Sequence, residues 1–246
     1  MQSTVWDLNN NVVTYSDNVT GMALESATRT VNLSQFNSVN VANAEGAGSS
    51  SEYTLTKVIL SIDGSISGNV KFENESPSTA NDVTVTLYDF ANPAGNGQAW
   101  SQVSFNGNNA SESYSYSRSF DEIAADSDAD PDWAGDDYRN LTVNENGTGE
   151  ALSGDITSDL QAYIGSGNIS TEVDFQGQWS FDNLPNNQSI VDVYGDAAVS
   201  VSYYYDYTPV PEPTSAVFMS LGLIILALLK RPKQKNPSPF TDNSRY

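Results

Sequence analysis

The chain has 246 residues with 31 acidic and 10 basic side chains, no histidine and no cysteine, for a formal charge of −21. Residues 1–211 set 29 acids against Arg29, Lys57, Lys71, Arg118 and Arg139, a net of −24, whereas residues 230–246 carry +4. An acidic body of this kind repels nucleic acid and anionic lipid, so no nucleic-acid partner is expected. The missing Cys and His exclude disulfides, the usual zinc sites, thiol nucleophiles and every triad with an imidazole base.

Charged residues are only 17% of the chain, and there are 13 tyrosines. β-Branched and aromatic residues are plentiful in short runs, which favours strands over disorder. Residues 4–8 and 30–36 open the series. Residues 53–63 (YTLTKVILSID) and 65–72 (SISGNVKF) read as two strands of a hairpin turning at Asp63-Gly64. Residues 82–88 (DVTVTLY) alternate Val83, Val85 and Leu87 with polar neighbours, as a half-buried strand does. Residues 99–105, 112–117, 138–143, 169–175, 178–181, 189–194 and 198–207 continue the pattern. Residues 155–164 are the one helical candidate, with Asp155 or Ser158 as N-cap and Gly165 as the stop. Short strands without strand–helix alternation predict an all-β fold, an antiparallel β-sandwich of jelly-roll-like type.

Residues 121–137 (DEIAADSDADPDWAGDD) break the series as an acidic loop. Asp126, Asp128 and Asp130 stand at positions 1, 3 and 5 of a run with Asp137 at position 12, the spacing at which carboxylates converge on calcium. Pro131 replaces the glycine that such a loop needs, so a merely solvated acidic loop is the competing reading, and calcium is the only cofactor in view. Trp133 is the best-placed ring of the four tryptophans (Trp6, Trp100, Trp133, Trp179) to stack on a polysaccharide, against core packing as the ordinary use. In the Tyr203-Tyr204-Tyr205 run, alternate rings must take opposite faces of a strand. Asn-x-Ser/Thr triplets begin at Asn18, Asn32, Asn74, Asn109, Asn140, Asn146, Asn168 and Asn187, but an Asn-, Ser- and Thr-rich composition produces most of that number by chance, so they prove little as glycosylation sites. With so many acids, some pair falls at glycosidase separation by chance, so a glycosidase is the most distant alternative and no catalytic residue is assigned.

The sharpest change of composition begins at residue 210. Val210-Pro211-Glu212-Pro213 precedes the apolar run 214–229 (TSAVFMSLGLIILALL), which is followed by Lys230, Arg231, Lys233 and Lys235. As a helix the run is about 24 Å long, close to the ~30 Å of a hydrocarbon core, and Lys230 and Arg231 can snorkel to extend it. The basic cluster keeps its end cytoplasmic and places the body outside. The order of these three parts resembles the PEP-CTERM sorting signal. That resemblance implies an exported protein, held for a time in the inner membrane and processed near Pro211–Pro213 by an exosortase, then released to the cell surface. On it, Pro211, Glu212 and Pro213 are recognised and Lys230 and Arg231 halt translocation. It also implies a structural or adhesive role linked to exopolysaccharide, with a carbohydrate-binding or calcium-dependent recognition module as the alternative. The basic cluster is followed by residues 236–246, where that family ends sooner. Residues 1–14 (MQSTVWDLNNNVVT) lack the basic and apolar regions of an export signal, which points to a start site placed too late or to a trimmed chain.

The body resembles the choice-of-anchor E domain. The likeness rests on residues 60–68 (LSIDGSISG), continuing through Val70, Phe72, Glu73 and Asn74, on 158–167 (SDLQAYIGSG), and on the last strand, 198–207 (AVSVSYYYDY). That family has no established catalytic residues, so the resemblance implies that the chain is not an enzyme. The expected organisation is a β-domain over 1–209, best matched over 30–207, a sorting segment over 210–235 and a short tail over 236–246.

Overall fold

A computed structural model describes residues 2–24, 27–46, 53–88, 99–126, 131–147 and 149–208. The chain divides into two units, 1–208 and 209–246, and the described residues all fall in the first. Pro211, Glu212, Pro213, Lys230 and Arg231, the apolar run between them, and Asp128 and Asp130 lie outside the described residues. Among the described residues no helix is long and apolar enough to cross a membrane.

The described residues form antiparallel sheets, β-sandwich-like in character. The largest has the order β1 (Ser3–Asp7), β2 (Val12–Ala23), β13 (Asn187–Tyr207), β4 (Tyr53–Asn74), with β9 (Tyr138–Asn146) and β10 (Ala151–Leu152) sharing the far edge of β4. The second sheet runs β3 (Ala27–Ser34), β11 (Asn168–Gln176), β6 (Ala99–Phe105), β7 (Asn108–Tyr114). The third runs β12 (Gln178–Asp182), β5 (Ala80–Tyr88), β8 (Ser117–Ile123). A short helix, α1 (Ser38–Glu45), is capped by Asn37, whose side chain accepts the Val39 N–H at 2.9 Å, and it stops at Gly46. Such caps satisfy amides that the first turn leaves without partners.

The spine of the fold is the long ribbon of β4 and β13, paired from Asn187 opposite Asn74 to Tyr207 opposite Tyr53. Its inner face carries Val58, Leu60, Ile62, Val199, Val201 and Tyr203, all fully buried. Each such aliphatic side chain is worth about 1.5–3 kcal/mol of burial. Tyr204 lies opposite Lys57 and Tyr205 opposite Leu55, so Thr56 is an extra residue, a β-bulge. The bulge shifts the alternation by one, which brings Tyr53 and Leu55 onto the buried face. Tyr203 and Tyr205 are buried, whereas Tyr204 turns outward beneath the Lys57 ammonium, 4.0 Å from the ring centre. At the other end of the ribbon, Phe72 meets Phe120 and Phe181 of the third sheet at 5.8 and 5.3 Å.

Several expectations are corrected. Asp63-Gly64 is not a turn: β4 runs unbroken through it, with Gly64 opposite Ala197. The separate strands expected over 189–194 and 198–207 are likewise one strand, continuous through Gly195. Both glycines answer the same demand. The rings of Tyr114 and Phe175 stack at 6.1 Å, and a side chain on Gly64 would strike the Tyr114 hydroxyl while one on Gly195 would strike the Phe175 ring. Glycine here marks a close approach of two sheets. The strand expected over 112–117 straddles the break between β7 and β8. The helix expected over 155–164 shrinks to a 3₁₀ turn, Leu160–Tyr163, because Ile156 is drawn into a bridge with Val58, with both N–H···O bonds at 3.0 Å. β2 and α1 were not anticipated.

Candidate functional site

Buried carboxylates are costly, so each one has to be accounted for by the groups around it. Glu112 lies on the inward face of β7 between Ala110 and Tyr114, at 2% exposure. The edge of β4 explains it. β9 pairs along β4 as far as Ser65 and β10 as far as Ile62, so Gly64 faces the gap between them. Glu112 fills that gap: its Oε2 accepts the Gly64 N–H at 2.6 Å and its Oε1 the Gly149 N–H at 3.0 Å. The Tyr114 hydroxyl, 2.6 Å from Ser101 Oγ, also bonds to it. Burial raises the Glu112 pKa above the usual carboxylate value, Asp63 adds to this, and the donors pull the other way. All of its neighbours are structural, so this carboxylate ties two sheets together.

Glu73 differs. It follows Phe72 in β4, so alternation turns it away from the core, yet it is only 2% exposed. Residues 131–137 fold over it: the Trp133 N–H donates to Glu73 Oε2 across a long 3.4 Å, and the Asp137 carbonyl accepts the neighbouring Asn74 N–H at 3.1 Å. Glu73 Oε1 and Glu75 Oε1 are buried without a hydrogen-bond partner. Burial raises the Glu73 pKa, and the charges of Asp137, Asp132 and Glu75 raise it further against the single Trp133 N–H. Asp137 is itself buried. Arg139, opposite Phe72 on β9, donates to the carbonyls of Asp136, Tyr138 and Glu122 at 2.8, 2.7 and 3.2 Å and lies over the Phe120 ring. Trp133 holds a left-handed backbone (φ 57°), unusual for a side chain of its size, and its half-buried ring meets Tyr138 edge-on at 6.2 Å.

Of the four expected calcium ligands, two are described. Asp137 is drawn in beside Glu73, and Asp126 donates its N–H to the Ser76 carbonyl at 2.8 Å. Among the described residues no three acidic side chains are grouped closely enough to hold a metal ion by themselves. Glu73 could not be placed at this site from local pattern, because it stands 64 positions before Asp137 and only the pairing of β4 with β9 brings them together. The four tryptophans occupy β1, β6, β12 and the acidic loop, and Trp6 and Trp179 pack on Tyr15 and Tyr116, so they form no common platform. Glu112 and Glu73 are nine residues apart as measured along β4 from Gly64, roughly 30 Å, too far to act as a glycosidase pair. Asn74 is fully buried and donates to the Ser78 and Ala124 carbonyls, which removes it from the possible glycan-bearing asparagines.

On the other side of residues 74–81, an open cleft of about 720 Å³ is lined by Asn81, Ser76, Thr79, Phe181, Asp182 and Asn183, among others. It presents hydroxyls, amides and a carboxylate around the edge of one ring.

No family model matches the chain, and no curated protein matches it. Among solved structures, one titled "Structure of infectious bursal disease virus Gx strain" is 11% identical with a TM-score of 0.14, over 88% of this chain and 49% of that one. The chain spans about half the length of that structure, and a score so low carries no argument.

Proposed function

We propose that the chain is an exported surface protein of PEP-CTERM type, sorted by an exosortase through Pro211-Glu212-Pro213 and serving a structural or adhesive role in an exopolysaccharide layer. The observation that carries this reading is the order of parts at the C-terminus: the Pro-Glu-Pro motif, sixteen apolar residues, then Lys230 and Arg231. The inner membrane holds the apolar run until processing, and the jelly-roll-like body travels on to the surface. The end of β13 at Tyr207, four residues before Pro211, supports it, since cleavage near Pro211 would leave every strand of the body intact. Mass spectrometry of the surface-released protein should find a C-terminus near Pro211–Pro213. Intact Tyr246 on the mature surface form would instead mean a permanent tail anchor.

A second reading, recognition of a carbohydrate, is favoured by the cleft beside Phe181, whose polar lining suits sugar hydroxyls. Binding of the full chain to a glycan array, lost on Asp182→Ala but kept on Trp133→Ala, would place recognition in the cleft. The reverse pattern would place it at the acidic loop.

A further inference from the structure

We propose that Glu73 and Asp137 hold a hard divalent cation of calcium's chemistry, beneath the cover that residues 131–137 make over the end of β4. The inference is independent of how the chain is sorted. It rests first on Glu73 Oε1, an acceptor at a residue 98% buried, with no donor to satisfy it. Burying a carboxylate oxygen without a partner is among the costliest arrangements a fold can adopt, and paired or metal-bound acids are the usual remedy. The second support is the charge around it. Asp137, Asp132 and Glu75 all bear on Glu73, and Glu75 adds another buried oxygen without a partner. Arg139, which could have neutralised them, directs its bonds to carbonyls instead.

The chemistry narrows the ligand. The donors are all oxygen, with neither imidazole nor thiolate anywhere in the chain, which disfavours the softer metals and leaves calcium, magnesium or manganese(II). Two carboxylates cannot fill the six to eight positions of calcium, so water and backbone carbonyls complete the shell. A site with so few charges belongs to the weak class, with Kd roughly 10⁻⁴–10⁻³ M, suited to the calcium found outside cells. The ligand set differs from the loop spacing 126-128-130-137, because its central member comes from a strand.

The test uses the full chain in detergent at pH 7 and 150 mM NaCl, where exposed charges more than about 8 Å apart are already largely screened. Calcium at 10 mM should raise Tm over the chelator-treated protein by about 3–7 °C. Glu73→Gln should abolish that rise, and the exposed Asp192→Asn, which removes the same charge elsewhere, should keep it. Terbium(III), a hard cation like calcium, should emit on excitation of the tryptophans, the emission should be lost on Trp133→Phe, and calcium should displace it. Should Glu73→Gln fail to fold, Asp137→Asn and the terbium displacement decide the matter. Equal calcium shifts in Glu73→Gln and Asp192→Asn, or no sensitised terbium emission from the unmodified chain, would overturn the proposal.

Discussion

A carboxylate placed between two sheets has to be matched by donors, and Glu112 shows how few suffice. Two amide N–H groups and one phenol hold it, yet burial still outweighs them and its pKa is raised. Glu112→Ala would leave the buried Gly64 amide without its partner inside the fold and release the exposed Gly149 amide. It should lower stability by about 1–3 kcal/mol, read from urea unfolding at pH 7. The raised pKa sets the sign of the pH dependence. The folded chain holds the protons of Glu112 and Glu73 more tightly than the unfolded chain does, so acidification through these raised values adds stability, and raising the pH removes it. In chelator, Tm should therefore climb as pH falls from 7 towards 5, and Glu112→Ala should climb less. An equal climb in Glu112→Ala and the unmodified chain would contradict the placement of Glu112.

At the scale of elements, the fold turns on where large rings meet small residues. Gly64→Ala and Gly195→Ala should each cost about 1–3 kcal/mol, because the added methyl must displace the stacked Tyr114–Phe175 pair. Gly154→Ala, with open space around it, should change stability little. Comparing the three melting curves checks this directly. The same glycines limited what could be read from the sequence. The all-β class was legible, since 82–88 and 169–175 alternate cleanly and fold as strands. Asp63-Gly64 resembles a turn because local chemistry favours one there. Its actual use depends on Tyr114, fifty positions away. Residues 155–164 likewise have helical spacing, but the pairing of Ile156 with Val58 overrides it. At the candidate site the acidic loop was legible from composition, whereas Glu73 was not. A single acid in a strand carries no local mark of what will fold over it.

Across the whole molecule, the last strand among the described residues is the most central. β13 lies between β2 and β4 and pairs with both, so without it the largest sheet falls into two pieces with no shared ladder. A chain ending at Asn186 should lack a cooperative melting transition, whereas one ending at Thr208 should melt like the full chain, as circular dichroism would show. The division of charge follows the same boundary: the acidic body ends with β13, and the basic residues lie beyond it.

The position of β13 also has a mechanical consequence. Any pull through the C-terminal tail enters the body at Tyr207, at the end of a 21-residue strand bonded to β4 along its length and to β2 from Tyr194 to Tyr204. Tension along that strand meets two hydrogen-bond ladders loaded in shear together, rather than an edge strand that could be peeled one bond at a time. A tether leaving from the middle of the sheet therefore transmits force to the whole body at once, and unfolding by such a pull should need more force than peeling an edge strand.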